Sequence, residues 1–233
     1  MNFCKFVKAL LHFRSAKLHF VMDFQDFLTC IPKLTREELP AEAAHDLMTP
    51  PERKDLMKAI DFESKKPRKA AVMMLLYPKD SQTHLVLIKR NAYPGVHSSQ
   101  IAFPGGKVEL EDESHQHTAL RETHEEIGIA PNQIQVIRAF SEVYIPPSNF
   151  MVYPFMGISQ QQLEFVPDPE EVAGIIEFPL RQFLDDQIAV VKKMDTAYSQ
   201  SINVPAFKIY EHYVWGATAM MLSELKETLK KVL

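Results

Sequence analysis

Three glutamates at helical spacing are the residues of this chain best suited to chemistry. Glu122, Glu125 and Glu126 stand at positions i, i+3 and i+4, so a helix would bring their carboxylates to one side. Like charges at that spacing repel each other and destabilise an isolated helix. Carboxylate oxygens are the ligands that Mg²⁺ and Mn²⁺ prefer, and a bound ion would relieve the repulsion. The spacing therefore predicts a site for a divalent cation, Mg²⁺ or Mn²⁺.

The residues around the glutamates predict the helix that such a site needs. Residues 118–127 carry a mostly apolar face at helical spacing, formed by Ala119, Leu120, Thr123 and Ile127. Gly128 and Pro131 follow as stop signals. His124 lies between the glutamates in sequence but points elsewhere on a helix, so we expect it to be exposed and not catalytic.

Residues 103–129, FPGGKVELEDESHQHTALRETHEEIGI, resemble the Nudix box, G-x5-E-x7-R-E-U-x-E-E-x-G-U with U an aliphatic residue. Its second half is matched by Arg121, Glu122, Glu125, Glu126, Gly128 and Ile129. Thr123 stands at an aliphatic position, and the first half is one residue too long. Either Asp112 or Glu113 therefore takes the place of the first acid, in an expected salt bridge to Arg121.

The resemblance implies an α/β protein, a Nudix-type α/β/α sandwich around a mixed β-sheet, that hydrolyses a diphosphate with the help of divalent ions. The implied metal ligands are the three glutamates and the carbonyl of Gly106. Diphosphate hydrolysis also needs a base for the attacking water. That base is Glu122 or an acid outside the box, for which Glu170 and Glu171 stand before a predicted strand. We name Glu122, Arg121 and Glu171 as the catalytic residues.

Residues 87–106, LIKRNAYPGVHSSQIAFPGG, resemble the signature of the coenzyme A pyrophosphatase branch, L-L-T-x-R-S-x3-R-x3-G-x3-F-P-G-G. The first arginine and the end of the signature match, while Gly95 and Ser99 replace its second arginine and its glycine. The likeness extends over residues 70–233, including 144–149 and 215–218. It implies a coenzyme A-like small-molecule substrate, whose anionic phosphates need a cationic or amide-rich cradle. The substrate-binding residues expected from it are Arg90, His97, Gln100, Phe103 and Gly105.

Three functions fit these patterns. The first is hydrolysis of coenzyme A or acyl-coenzyme A to a 4′-phosphopantetheine and 3′,5′-ADP. The second is the same chemistry on another nucleoside diphosphate compound, such as ADP-ribose or a dinucleotide, which Gly95 in place of the second arginine favours. The third is a ligand sensor without turnover, which has no need to keep mutually repelling acids at Glu122, Glu125 and Glu126.

Length and composition set the organisation of the chain. Its 233 residues suffice for one sizeable α/β domain with an appendage. The formal net charge of −4 gives no basic footprint, so no nucleic-acid partner is expected. Cys4 and Cys30 form no metal or redox spacing, which fits a reducing cytoplasm.

The N-terminal part is predicted to be helical. Residues 1–22 are basic and apolar, and their apolar runs are too interrupted to span a membrane. They form an amphipathic arm or precede a true start at Met22, and the apolar segment could serve a homodimer. Residues 23–69 form a helical extension too small to fold alone, with helices at 41–48 and 52–60. Its first helix would bury Phe24, Phe27, Leu28 and Ile31.

The remainder, residues 70–233, is the predicted Nudix domain. Apolar runs and alternating patterns predict strands at 70–77, 84–89, 133–140, 153–159, 172–177, 188–193 and 205–210. The first two strands are joined by turn residues and so form a hairpin. Pro179 is expected to open a helix through Leu184, and residues 217–233 to form a final amphipathic helix.

Overall fold

A computed structural model describes residues 23–58, 60, 62–91, 100–195 and 201–233. The arm 1–22 lies outside the described residues, as do His97, Gly95 and Ser99. In the described part of the chain, no helix is long and apolar enough to cross a lipid bilayer.

The N-terminal extension is a series of short helices that cover one face of the molecule. They are α1 (Phe24–Leu34), α2 (Ala41–His45), α3 (Pro51–Lys58) and α4 (Phe62–Lys65), with a 3₁₀ turn at Asp46–Met48. Asp23 caps α1 by accepting a hydrogen bond from the backbone N–H of Gln25. Phe24 and Phe27 are buried in the main core, and Leu28 and Ile31 pack against it, which confirms the predicted apolar face.

The central sheet is mixed, because its longest strand has both parallel and antiparallel neighbours. β1 (Arg68–Lys79) pairs parallel with β7 (Phe150–Ile158), and antiparallel with β2 (Gln82–Arg90) and β4 (Gly105–Lys107). The predicted hairpin is confirmed; Asp80 and Ser81 make its turn with positive φ angles of 49° and 63°. The other strands are β3 (Ile101–Ala102), β5 (Gln135–Ala139), β6 (Val143–Ile145) and β8 (Val172–Pro179).

Helices cover both faces of this sheet, as the resemblance implied. Side chains alternate along β1, so Met73 and Leu75 face one side while Met74 and Leu76 face the other. The first side packs against α5 (His115–Ile127). The second side packs against α1 and the final helix α7 (Gly216–Val232). The result is an α/β/α sandwich around a mixed sheet.

The C-terminal part adds a second, smaller sheet. A short helix α6 (Leu180–Phe183) follows Pro179, and then β9 (Ala189–Met194), β10 (Ile202–Ile209) and β11 (His212–Trp215) pair antiparallel with each other. This sheet leads directly into α7. The sequence patterns predicted α6, β9 and β10 but not the grouping of these strands apart from the central sheet, since hydrophobic alternation does not identify pairing partners.

Several predicted boundaries differ from the structure by a few residues, and three of these differences have a clear local reason. Helix α5 begins three residues before Thr118, because the Ser114 hydroxyl caps it by accepting from the His117 N–H at 3.1 Å. The strand expected at 133–140 begins at Gln135, because Pro131–Gln133 forms a 3₁₀ turn. The helix expected at 41–48 is split into α2 and a 3₁₀ turn.

The extension is attached to α7 by buried polar contacts. His45 Nε2 lies 3.2 Å from Glu224 Oε2, and the Ser223 hydroxyl donates to the Ala44 carbonyl at 2.7 Å. Ser141 also donates to Glu224, from its hydroxyl at 2.5 Å and its N–H at 3.1 Å. Burial alone would raise the pKa of Glu224, but these hydrogen bonds bring it below its usual value. The extension and the final helix therefore form one packed layer.

Candidate active site

Glu126 joins α5 to the loop that carries the Pro-Gly-Gly turn. Its side chain is only 1% exposed. The Gly105 N–H donates to Oε2 at 2.8 Å, and Arg90 Nη1 donates to Oε1 at 3.1 Å. Burial raises the pKa of Glu126 to about 7, against the opposing effects of the Arg90 charge and the Gly105 amide. The structure thus places a predicted metal ligand in contact with two predicted substrate-binding residues.

Glu122 lies against Gly106, the other glycine of this turn. A Cβ atom at Gly106 would come within 2.4 Å of Glu122 Oε2, so the close approach requires glycine. Burial raises the pKa of Glu122, while the charge of Arg121 acts in the opposite direction. The carboxylate of Glu122 and the backbone of Gly106 are therefore neighbours, as the proposed ligand set requires.

Asp112, and not Glu113, is the acid that pairs with Arg121. Arg121 donates from Nε to Oδ1 at 3.0 Å and from Nη2 to Oδ2 at 2.9 Å, a bidentate arrangement. The Asp112 side chain is 1% exposed and also accepts from the Thr118 hydroxyl at 2.8 Å. Hydrogen bonding to Arg121 holds the pKa of Asp112 well below its usual value. The pair fixes the acidic loop on the helix.

Arg121 also organises the other two acids of the helix. Its Nη1 donates to Glu122 Oε1 at 3.0 Å and to Glu125 Oε2 at 2.7 Å. Its Nη2 additionally donates to the Lys107 carbonyl at 3.1 Å, directly after Gly106. Arg121 is thus a positioning residue that ties α5 to β4. Glu125 differs from its neighbours, because its side chain is 54% exposed.

Glu171 is brought to the acids of α5 from a distant part of the sequence. Its negative charge contributes to raising the pKa values of both Glu122 and Glu126. The loop that carries it is attached to the helix, since the Asp168 N–H donates to the Glu126 carbonyl at 3.0 Å. Glu171 itself is exposed. Glu170, the other acid weighed from the sequence, is also exposed, and its N–H donates to Asp168 Oδ1.

The donor set suits a divalent ion that keeps part of its shell for water and phosphate. Among the described residues, no three acidic, His or Cys side chains already surround a common point as a complete set of ligands. Arg90 and Arg121 instead hold the carboxylates in ion pairs. Mg²⁺ is usually bound through one or two carboxylates together with waters and substrate phosphates. Glu122 and Glu126, both flanking the Gly105–Gly106 turn, fit that requirement.

A cavity of about 620 Å³ begins at this turn. The predicted substrate-binding residues Arg90, Gln100, Phe103 and Gly105 all line it, together with Gly106. His97, the fifth of them, lies outside the described residues. Because Gly105 and Gly106 contact the buried acids, the cavity and the acids form one continuous site.

The rest of the cavity is built by residues that sequence reasoning did not assign to the site. Its walls are mainly apolar and include Val72, Ile145, Phe150, Val152, Trp215 and Met221. Arg53 of α3 and Thr218 of α7 also contribute to the walls. Residues 144–149 and 215–218 stand out in the sequence only by their likeness to the coenzyme A pyrophosphatase branch. No sequence pattern marked Arg53.

Helix α5 confirms two further predictions, its end at Gly128 and the exposure of His124. Gly128 ends α5 in the left-handed conformation, with φ 76°, as expected for a stop signal. His124 is exposed, as predicted from its place on the helix. It lies away from the buried acids.

A family model and two similar proteins all relate this chain to Nudix proteins. The model of the NUDIX domain matches residues 67–197. The chain is 35% identical to an uncharacterized Nudix hydrolase NudL of Enterobacter sp. (strain 638), over 68% of this chain and 81% of that protein. It is 32% identical to Nudix hydrolase 22, chloroplastic, of Arabidopsis thaliana, over 67% of this chain but about half, 54%, of that protein.

Solved structures with similar folds share little sequence with this chain. A Nudix hydrolase from M. smegmatis, RenU, aligns with a TM-score of 0.49 and 17% identity, over 72% of this chain and 88% of that one. The NUDIX domain of Shewanella oneidensis NrtR, complexed with ADP ribose, aligns with a TM-score of 0.45 and 16% identity, over 76% of this chain and 97% of that one.

Proposed function

Because the chain belongs to the Nudix family of hydrolases, which act on nucleoside diphosphate derivatives, we propose that its substrate is coenzyme A or an acyl-coenzyme A. The products would be 3′,5′-ADP and 4′-phosphopantetheine or its acyl derivative. The observation that carries this proposal is the cavity, which starts at the Gly105–Gly106 turn beside the acids and continues between mainly apolar walls. A diphosphate with a long, largely uncharged arm matches a site that is charged at one end and apolar beyond it.

The residues proposed to hold the metal are Glu122, Glu125, Glu126 and the Gly106 carbonyl. Mg²⁺ or Mn²⁺ bound there would stabilise negative charge on the diphosphate and lower the pKa of a bound water. Arg121 positions Glu122 and Glu125 through hydrogen bonds of 3.0 and 2.7 Å. Arg90 lines the cavity beside Glu126 and would bind a phosphate oxygen through its guanidinium.

Glu171 is the residue we propose as general base, with Glu122 as the alternative. Its charge acts on both Glu122 and Glu126, and a base beside these acids would take the proton of the attacking water. Replacing Glu171 by Gln should lower kcat by about 10²- to 10⁴-fold and leave the metal affinity nearly unchanged. Glu170→Gln is the matched control, and equal losses in both variants would reject Glu171 as the base.

Product analysis tests the substrate. The purified protein with Mg²⁺ or Mn²⁺ would be offered coenzyme A, acetyl-coenzyme A, ADP-ribose, NADH and a diadenosine polyphosphate, with products separated by chromatography. Fastest release of 3′,5′-ADP from the coenzyme A compounds is the expected result. No release from them, with turnover of another compound, would contradict the proposed substrate.

The second candidate substrate is another nucleoside diphosphate compound, such as ADP-ribose or a dinucleotide. It is favoured by Gly95 and Ser99, which replace the second arginine and the glycine of the coenzyme A signature. A ligand sensor without turnover is the remaining candidate, and absence of all turnover with both metals would support it. The buried Glu126 and the partly buried Glu122, which flank the turn at the cavity, argue for catalysis.

A further inference from the structure

The cavity contains a buried cation that belongs to the N-terminal extension. Arg53 of α3 is only 4% exposed and lines the same cavity as Arg90 and Gly106. Its Nη2 donates to the Tyr144 carbonyl at 2.5 Å, which fixes the guanidinium beside β6. Arg53 also lies outside residues 67–197, the part that the family model matches. The extension therefore contributes a charged group to a site that otherwise belongs to the Nudix domain.

Strand pairing shows how far Tyr144, the residue that anchors Arg53, lies from the end of β4 beside the acids. Tyr144 on β6 is paired with Met151 on β7, and Met151 with Lys69 on β1. On the other side of β1, the Val108 N–H donates to the Lys69 carbonyl at 3.0 Å, two residues beyond Gly106. Neighbouring strands are about 4.8 Å apart, so three spacings place Tyr144 on the order of 14 Å from the end of β4. Tyr144, which anchors Arg53, and the Gly105–Gly106 turn thus lie on opposite sides of the cavity.

The wall between these two points is apolar. Ala70 and Val72 on β1, together with Phe150 and Val152 on β7, line the cavity between Arg53 and the Gly105–Gly106 turn. A ligand held at the acids would cross this apolar stretch before it reaches the guanidinium. A guanidinium removed from water interacts strongly with an oxyanion, because low local polarity strengthens charge-assisted hydrogen bonds.

We propose that Arg53 binds a second anionic group of the substrate, remote from the diphosphate that is cleaved. The chemical class is an oxyanion, either a phosphate monoester on the ribose or a carboxylate at the end of an acyl chain. This inference rests on the proposed function, since it assumes a diphosphate substrate in the same cavity. It assigns to the extension a role in choosing the substrate.

Matched substrate pairs test this inference in the full-length protein. One pair is coenzyme A and 3′-dephospho-coenzyme A, and the other is acetyl-coenzyme A and malonyl-coenzyme A. The wild-type protein should prefer the more anionic member of one pair. In Arg53→Met that preference in kcat/KM should fall by about 10- to 100-fold, mainly through KM. Arg53→Lys should retain part of it.

The outcomes separate the two proposals. Loss of preference in the first pair assigns the ribose phosphate, and loss in the second assigns the acyl carboxylate. If both coenzyme A pairs are hydrolysed with the same kcat/KM ratios in wild type and Arg53→Met, the role of Arg53 is overturned but the proposed function stands. If Arg53→Met does not fold, equal kcat/KM values within both pairs for the wild type would overturn it as well.

A binding measurement covers the case in which the proposed hydrolysis is itself wrong. The shift in Tm caused by 3′,5′-ADP would be compared with that caused by 5′-AMP, which lacks only the 3′-phosphate. A larger shift with 3′,5′-ADP that disappears in Arg53→Met supports anion binding at Arg53 without any turnover. Equal shifts by both nucleotides, in a protein that hydrolyses none of the coenzyme A compounds, would overturn both proposals.

Discussion

Arg90 on β2 and Glu126 on α5 form an ion pair, with 3.1 Å between Nη1 and Oε1, although they stand 36 positions apart in the chain. The pair connects a residue expected to bind substrate with one expected to bind metal. Glu126 is nearly inaccessible to solvent, whereas Arg90 remains 24% exposed on the cavity side. The two functions proposed for this site therefore meet in one contact, and substitutions at either residue will affect both.

Glu126→Gln should lower turnover by at least about 100-fold while the fold is retained. The amide keeps the shape of the side chain and can still accept from the Gly105 N–H, but it binds a divalent ion poorly. Steady-state kinetics and calorimetric titration with Mg²⁺ would measure the two effects. His124→Gln, an exposed substitution on the same helix, is the control. Unchanged turnover in Glu126→Gln would rule out the metal assignment.

Gly106→Ala should reduce activity by about 100-fold, because the added methyl group would displace the Glu122 carboxylate. Gly106 has no positive φ angle, so alanine introduces no backbone strain there. The free energy of unfolding, measured by urea denaturation, should fall by less than the loss of activity corresponds to when that loss is expressed as a free energy. Gly174→Ala is the matched control, since no atom lies within 4 Å of the position of its added Cβ. Full activity in Gly106→Ala would mean that the position of Glu122 is unimportant.

Asp112→Asn should lower the free energy of unfolding at pH 7 by about 2 kcal/mol, between the values typical of exposed and buried ion pairs. The folded-state pKa of Asp112 lies below its unfolded value, so the ion pair stabilises the protein above about pH 4. That contribution is lost as the pH falls below about 4 toward the folded-state pKa. The difference between wild type and Asp112→Asn, measured by denaturation at several pH values, should therefore shrink in acid.

Glu113→Gln is the control for this ion pair, because Glu113 is the exposed acid one position away. Its substitution should leave the free energy of unfolding within about 0.5 kcal/mol of wild type. If Glu113→Gln were the more destabilising change, the pairing of Arg121 with Asp112 would be wrong.

Phe27→Ala should destabilise the whole protein by about 3–5 kcal/mol, because Phe27 is fully buried in the core that α1 shares with α7 and the sheet. We expect the extension and the Nudix domain to unfold as one unit. Urea denaturation followed by Trp215 fluorescence and by circular dichroism should then show coincident transitions. Leu47→Ala, at a residue 57% exposed, should have little effect. Two separated transitions would identify the extension as an independent unit.

Features that depend on residues a few positions apart were predictable. Helix α5 with its stop at Gly128, the β1–β2 hairpin and the apolar face of α1 all follow from local spacing and turn chemistry. The ends of elements were less predictable, since a single hydrogen bond accepted by the Ser114 hydroxyl from the His117 N–H lengthens α5 by three residues.

The choice between Asp112 and Glu113 shows where local reasoning stops. Both are acids in one loop; the box spacing from Gly106 points to Asp112, whereas the spacing to Arg121 points to Glu113. The folded loop turns Asp112 inward, where Arg121, Thr118 and the Glu109 N–H donate to it, while Glu113 faces solvent. Similarly, Glu125 has the same residue type as Glu122 and Glu126 but lies on the exposed side of the helix.

The sequence by itself indicated the family, and through that resemblance the sandwich fold and the kind of chemistry, because the spacing of acids and glycines is a property of a short segment. Hydrophobic periods indicated the separate helices and strands in the same local way. Only the tertiary structure decided which side chains share the site. The pairs Arg90–Glu126 and Gly106–Glu122 depend on how β2, β4 and α5 are brought together. The place of Arg53 in the cavity wall depends on α3 packing beside β6. These contacts join residues far apart in the chain, and no local pattern specifies them.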